Sequence, residues 1–446
     1  MYGSTTLAAG AMLLASGAQA INITSGYINY TTVAGYFLQD VASTNASTFD
    51  YTATNFGLIN QTYSGTTSST ANLTQWQQFQ AQVAALNAAA PLNTVYKVLF
   101  MGRHGEGYHN AAETFYGTPA WNCYWAELNG NATATWYDAD LTPNGINQAI
   151  IAHNFWQHEI AVQKIPQPQS YYSSPLTRCL KTTNLTFNGI PTPEYYPFVP
   201  TVKELLREGI SIHTCDHRRN RTYIHNLFST WDVSDLGEYD TIWNGVSAET
   251  NDAQDARSKK VLDSIFGTDD HTWLSITSHS GEIGSILRVV GHRSFSLNTG
   301  AVIPVLVKAQ FLPSGPAPSS PAYTVSTHCA NPPVTSIASL AQGCVCSGTA
   351  VGGITTPIYN ISSDYPSGAG FQATDLNTPT VLASATATAT ATGGASGSSS
   401  SSFSTSSSKS SSASTSASIT ASASTSSSRP YGPPGYNPWS SSYGWW

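Results

Sequence analysis

The run Leu99-Phe100-Met101-Gly102-Arg103-His104-Gly105-Glu106-Gly107-Tyr108-His109-Asn110 holds the residues best suited to chemistry in this chain. Tyr96 to Met101 is apolar and β-prone, closed by a glycine, and reads as a buried strand. Arg103-His104-Gly105 then sets a guanidinium and an imidazole at the C-terminal end of that strand. Open α/β sheets place their ligands at such ends. Gly105 allows the backbone to come close to whatever binds there. By itself the tripeptide also reads as a strand end followed by a polar loop.

Three further stretches add candidate groups: Ser173-Ser174-Pro175-Leu176-Thr177-Arg178, Leu205-Leu206-Arg207-Glu208-Gly209 and Thr277-Ser278-His279-Ser280-Gly281-Glu282-Ile283. With the Arg103–Asn110 run they make four motifs in a set order. In these motifs, and in the helix start Leu141-Thr142-Pro143-Asn144-Gly145, the chain resembles the histidine phosphatase superfamily, in its phosphoglycerate-mutase-like branch. The resemblance covers about Tyr96 to Phe311 and leaves the substrate unnamed.

Phosphoryl transfer from a monoester needs an in-line nucleophile, positive charge around the equatorial oxygens and a proton for the departing alkoxide. The resemblance makes His104 the nucleophile, through a phosphohistidine that divides one hard step into two. Arg103 and Arg178 offer guanidinium forks for phosphate oxygens. His279 is expected to donate to the same phosphate. Gly281, at the following helix start, is expected to let backbone amides face the anion. Taken singly, Arg178 also reads as a surface ion-pair residue and His279 as a core histidine. Glu208 best matches the family's proton donor, a role that requires a carboxyl kept protonated by burial. Glu106, Glu204 and Asp216 compete for it, and Glu106 also reads as a shaper of the nucleophile loop.

The segment His213-Thr214-Cys215-Asp216-His217-Arg218-Arg219-Asn220-Arg221 is strongly basic. Arg218, Arg219 and Arg221, with Asn110, read as a substrate lip attracting a second anionic group. The alternative is a solvated basic loop. Its His-x-Cys-x-His spacing suggests a metal, but the family chemistry needs none, so neither metal nor cofactor is expected. Tyr108, His109 and Asn110 are placed on the leaving-group side. Trp121, Tyr124, Trp125, Trp136 and Tyr137 read as loop packing.

The elements that must position these groups alternate. Strands are expected at Tyr96–Met101, Ser170–Ser173, Trp273–Ser278 and Val302–Phe311. Helices are expected at Leu73–Ala90, Thr142–Gln163 with Thr142 as N-cap and Pro143 at N1, Pro175–Thr186, Ala248–Phe266 and Gly281–Val290. This order predicts an α/β fold, a three-layer α/β/α arrangement around a mainly parallel, doubly wound sheet. The expected divisions are a signal peptide (1–20), an N-terminal cover segment with one helix (21–95), the catalytic domain (96–312), a Cys-containing extension (313–384) and a disordered Ser/Thr-rich tail (385–446).

The chain has 446 residues, of which 10% are charged, and a formal net charge of −7. A surface of that sign is not built for nucleic acid, and an anionic substrate must be drawn by a local basic site. Leu7–Ala15 followed by Ala18-Gln19-Ala20 reads as a secretory signal lacking the usual positive n-region. No stretch is suited to spanning a bilayer. Asn-x-Ser/Thr acceptors at Asn22, Asn29, Asn45, Asn60, Asn72, Asn131, Asn184, Asn220 and Asn360, together with six cysteines, fit export. Cys329 is expected to pair with Cys344 or Cys346. The tail reads as an O-glycosylated stalk associated with a cell wall. These features together predict a secreted enzyme acting on a small phosphorylated substrate. An inactive surface glycoprotein on the same fold and a phosphomutase are the alternatives.

Overall fold

The computed structural model describes residues 26–63, 72–316, 322–326, 328–334, 344–348 and 350–351. The signal-like stretch, the Ser/Thr-rich tail, Asn22 and Asn360 lie outside them. At the centre is a six-stranded sheet built from β1 (Tyr27–Thr32), β2 (Thr94–Arg103), β3 (Ser170–Ser173), β4 (Thr201–Val202), β6 (Trp273–Ser278) and β7 (Val302–Leu312), in the order β1-β7-β2-β6-β3-β4. Two short antiparallel pairs stand apart from it: β5 (Ser247–Glu249) with β8 (Tyr323–Val325), and β9 (His328–Cys329) with β10 (Ala350–Val351). Within the main sheet β2, β6, β3 and β4 are parallel neighbours, and β7 runs against both β2 and β1. Five strands therefore share one direction, as the alternating pattern predicts.

The helices are α1 (Gln75–Ala88), α2 (Tyr108–Tyr116), α3 (Thr118–Cys123), α4 (Pro143–His158), α5 (Thr177–Phe187), α6 (Arg221–Leu227), α7 (Asn251–Thr268) and α8 (Ser280–Val289). Local chemistry sets several of their starts. Thr74 caps α1 by accepting from the Gln77 amide, and Thr142 caps α4 by accepting from the Gly145 amide, with Pro143 at the first helical position. A π-turn over Glu159–Gln163 extends α4 to the expected end. The helix expected from Ala248 begins later, at Asn251, because Ser247–Glu249 pair with Tyr323–Val325 as a strand.

Alternation along β2 divides the layers. Phe100 meets Trp76 of α1 and Trp156 of α4, while Lys97, of opposite parity, lies under Phe266 of α7. The first face carries an aromatic cluster of Phe37, Phe56, Trp76, Phe79, Phe100, Trp156 and Trp273, all buried. The segment 21–95 thus does more than cover the core: β1 forms an edge of the main sheet and α1 supplies part of this cluster. A satellite core of Ala112, Trp121, Ala126, Trp136, Ala139 and Cys215 underlies α2 and α3, with Tyr116 stacked on Trp125 at 4.0 Å. The aromatic wealth of this region is packing, as read.

Disulfides join Cys123 to Cys344 and Cys329 to Cys346. The second is one of the two expected pairings. The first ties the extension to α3 across 221 residues of chain, a link that no local spacing announces. Cys179 and Cys215 are buried free thiols. Among the described residues no helix is long and apolar enough to cross a membrane.

Candidate active site

The connection after β2 leads across the sheet to β3, two places away, whereas that after β6 leads the opposite way, to β7. Adjacent strands whose connections diverge leave a crevice at their C-terminal ends. His104 follows β2 there and His279 follows β6; the His104 amide donates to the Ser278 carbonyl at 3.0 Å. The two rings lie 5.0 Å apart, edge to face, and both are buried.

The nucleophile loop is clamped from below. The Gly105 amide donates to Thr182 Oγ1 at 3.0 Å, and the Glu106 amide to Gln148 Oε1 at 2.7 Å. A Cβ on Gly105 would stand 2.3 Å from the Gly145 carbonyl oxygen, so the loop can rest on the start of α4 only with glycine there. Glu106 turns away from the crevice, accepting from Thr142 Oγ1 at 2.6 Å and Asn144 Nδ2 at 3.2 Å. It shapes the loop.

His104 Nδ1 meets the Gly105 carbonyl oxygen at 2.7 Å. A carbonyl can only accept, so the proton sits on Nδ1 and the Nε2 lone pair is free. Burial, then the Arg178 and Arg103 guanidiniums, holds this imidazole well below the usual histidine range, so the ring is neutral. Arg103 is anchored by Nη1 on the Leu297 carbonyl at 2.7 Å.

Arg178 extends from the first turn of α5 and is fully buried. Its Nη1 donates to the Cys215 carbonyl (2.6 Å), its Nη2 to Asp216 Oδ1 (3.1 Å) and its Nε to His279 Nδ1 (3.3 Å). A guanidinium has five N–H bonds, so two remain for a ligand. Both ring nitrogens of His279 have protein partners, Nε2 contacting Ser174 Oγ at 2.8 Å. Burial and the neighbouring guanidinium keep that ring neutral too. Instead of an uncommitted donor, the structure shows an imidazole that orients Arg178.

Glu208 lies close enough to Arg178 for their charges to act on each other. Its carboxylate accepts from the amides of Gly209 (2.9 Å), Gly281 (3.3 Å) and Glu282 (3.2 Å). The α8 amides expected to face a bound anion therefore face Glu208. The reason is steric as well as electrostatic: a Cβ on Gly281 would stand 2.3 Å from Glu208 Oε1. Burial, reinforced by Asp216, raises the Glu208 carboxyl pKa. Beneath it Glu282 is pushed up to about 7 by burial, although Arg257 lies 3.0 Å away.

Of the expected lip, Arg218 is wholly taken up by structural contacts, and Arg219, Arg221 and Asn110 each have a neighbour in the protein. Arg218 is fully buried, paired with Glu204 and donating to the carbonyls of Arg219, Gly237 and Tyr239. Arg219 lies over the rings of Tyr137 and Tyr223 with Asp138 at 3.5 Å. Arg221 opens α6 beside Glu238, and Asn110 Oδ1 accepts from the Gly107 amide at the start of α2. Asn220 caps α6 through its own Oδ1. Glu204, a rival for the acid role, is consumed by Arg207 and Arg218. Each basic group gains an acidic or aromatic partner that is distant or unremarked in sequence.

His213, Cys215 and Asp216 place one potential ligand atom each within 4.8 Å of one another. Asp216 is already committed to Arg178, whose positive charge opposes a cation at that spot. These residues fit a support for Arg178 better than a metal centre. The sequence reading missed this support, the Ser174 contact and the Glu282–Arg257 pair. Ser174 and Glu282 lie within the quoted motifs and Asp216 is a rival for the acid role, whereas Arg257 carries no signal of its own.

A family model described as "Histidine phosphatase superfamily (branch 1)" matches residues 125–297. A protein from Arthroderma benhamiae named "Probable phosphoglycerate mutase" is 45% identical over 324 residues, covering 72% of this chain and 95% of that protein. "Phosphomutase-like protein 3" of Candida albicans is 36% identical over 239 residues, covering 53% and 73%. Among solved structures, the ecdysone phosphate phosphatase from Bombix mori is 15% identical with a TM-score of 0.31, covering 52% of this chain and 96% of that one. With this sequence similarity and four motifs converging on one crevice, the chain belongs to the histidine phosphatase superfamily, in its phosphoglycerate-mutase-like branch.

Proposed function

We propose that this chain is a phosphomonoester hydrolase working through a phosphohistidine on His104. The observation that carries the reading is the neutral, Nδ1-anchored imidazole of His104 beside the buried Arg178 guanidinium and the raised carboxyl of Glu208. In the first step the His104 Nε2 lone pair attacks phosphorus in line, and the bond to the ester oxygen breaks. Arg103 and the two remaining N–H groups of Arg178 hold the equatorial oxygens, where charge spreads in the transition state. Glu208, protonated, delivers its proton to the leaving alkoxide. In the second step the Glu208 carboxylate takes a proton from water, water oxygen bonds to phosphorus, the P–N bond breaks and inorganic phosphate leaves. Glu106, Glu204 and Asp216 are each held in other duties, which favours Glu208 as the acid.

We also place the enzyme outside the cell. Two disulfides suit an oxidising compartment, and Asn29, Asn60 and Asn72 present exposed acceptor side chains. A small phosphate ester is the substrate in this reading. Return of the phosphoryl group to a second hydroxyl is the competing outcome, favoured by the names of the relatives.

The test is hydrolysis of p-nitrophenyl phosphate by purified protein, with His104→Ala alongside. The expected result is nitrophenol and inorganic phosphate from the wild type and none above background from the variant. Equal rates from both would sink the proposal. Incubation with phosphoglycerate separates the outcomes: free phosphate supports hydrolysis, and an isomerised ester supports the mutase.

A further inference from the structure

The mechanism leaves one buried polar side chain of the crevice unused. His109 lies in the first turn of α2 and is 8% exposed, its ring 5.4 Å from that of His104. Nδ1 is fully enclosed and has no hydrogen-bond partner among the described residues. The Arg178 and Arg103 guanidiniums are both close enough for their charges to act on it, so it sits beside the two cations of the crevice. An enclosed N–H with no acceptor is among the costliest buried groups, so the single proton of this neutral ring belongs on Nε2 rather than on the enclosed Nδ1. That leaves Nε2–H as the ring's hydrogen-bond donor in the crevice.

The geometry points to His109 as a further phosphoryl contact: its Nε2–H donates to an equatorial oxygen of the group that His104 attacks. This inference rests on the phosphatase reading and adds a residue to it. Its neighbours favour the phosphoryl group over the alcohol. His104 is the adjoining ring, and the cations that surround His109 are those that face the anion. Asn110, the next residue, has its carbonyl oxygen turned back onto the Gly107 amide.

The experiment compares wild type, His109→Ala and His109→Gln. It reads inhibition by orthovanadate, kcat/KM for p-nitrophenyl phosphate and glycerol phosphate, and the rise in melting temperature on adding inorganic phosphate. Each rise is taken from that variant's own unliganded midpoint, so a loss of stability does not hide the effect. Removing a donor to developing charge costs about 10²-fold or more. The expected result for His109→Ala is therefore weaker vanadate inhibition, a smaller phosphate-induced rise and an equal fall in kcat/KM for both esters. The Gln variant, which keeps an N–H donor, recovers part of each. Unchanged vanadate inhibition in His109→Ala overturns the inference. So does a fall confined to glycerol phosphate, which assigns the ring to the alcohol, and so do equal losses in both variants, which assign it to packing. A wild type stabilised by phosphate but lacking turnover would fail the phosphatase reading alone, because the phosphate shift and its loss in His109→Ala would remain measurable.

Discussion

Two basic regions lie close together in this molecule and do opposite things. In the crevice, Arg103 and Arg178 face neutral imidazoles, and Arg178 keeps two N–H bonds uncommitted. In the segment from Arg218 to Arg221, Arg218 is closed by Glu204 and three carbonyls, while Arg219 lies against Asp138 and two rings and the half-exposed Arg221 stands 3.6 Å from Glu238. Arginine count does not separate the two; the partners do. A guanidinium whose donors are spent on the protein adds structure, and one with donors left over is available to an anion. The regions also meet, because Cys215 and Asp216, just ahead of the second segment, hold Arg178 of the first.

This contrast can be broken most sharply at Arg178. Arg178→Ala is expected to lower kcat by about 10³-fold or more, the scale seen when a transition-state arginine is lost. It should also destabilise the fold, since Asp216 is left buried without its partner. Steady-state kinetics on protein shown to be folded would measure the first effect. A kcat within a few fold of wild type would place Arg178 with the structural arginines.

Glu208→Gln tests the carboxyl that serves the crevice. An acid that protonates a leaving group contributes about 10²- to 10⁴-fold. The loss is expected for an alkyl phosphate and should be far smaller for the nitrophenyl ester, whose leaving group needs little help. Equal losses on both esters would give Glu208 a binding role instead.

On the structural side, Arg218→Ala leaves Glu204 with Arg207 alone and strips the Gly237 and Tyr239 carbonyls of their donor, and is expected to cost about 1–3 kcal/mol of stability. Turnover per folded molecule should stay near wild type. Urea denaturation and kinetics on the same preparation decide the matter, and a large fall in kcat/KM with unchanged stability would return Arg218 to the substrate.

The smallest effect concerns Glu282, which lies beneath Glu208. Its carboxyl ordinarily titrates near 4.5 and is raised to about 7 in the folded protein. The folded state therefore holds a proton that the unfolded chain releases. The stability from this group is complete below about pH 4.5 and is lost as pH rises through about 7. Relative to Glu282→Gln, the wild type should lose melting temperature over that window, which thermal scans at several pH values would register. Parallel profiles would show that Glu282 stays ionised against Arg257.

The elements around the site were legible because their signals are local. The Ser170–Ser173 and Trp273–Ser278 strands match the apolar, β-prone runs residue for residue, and Thr142-Pro143 marks the start of α4 by cap chemistry alone. The helix α2 was not anticipated; it begins with Tyr108-His109-Asn110, residues read as site lining rather than as a first turn. The partial success at Cys329 has the same basis, since Cys346 is near in sequence whereas Cys123 and Cys344 meet only through the fold.

Motif order and residue type were enough to establish the superfamily, the alternation of strand and helix, and the identities of His104, Arg178, Glu208 and His279 as candidates. Only the tertiary structure decided which charges remain unspent. A hydrogen bond is satisfied by whatever lies within about 3 Å, and chain folding brings those partners from residues far away in sequence. Thus Arg218 found Glu204, the α8 amides found Glu208, and His109 Nδ1 was left beside His104 without a hydrogen-bond partner among the described residues.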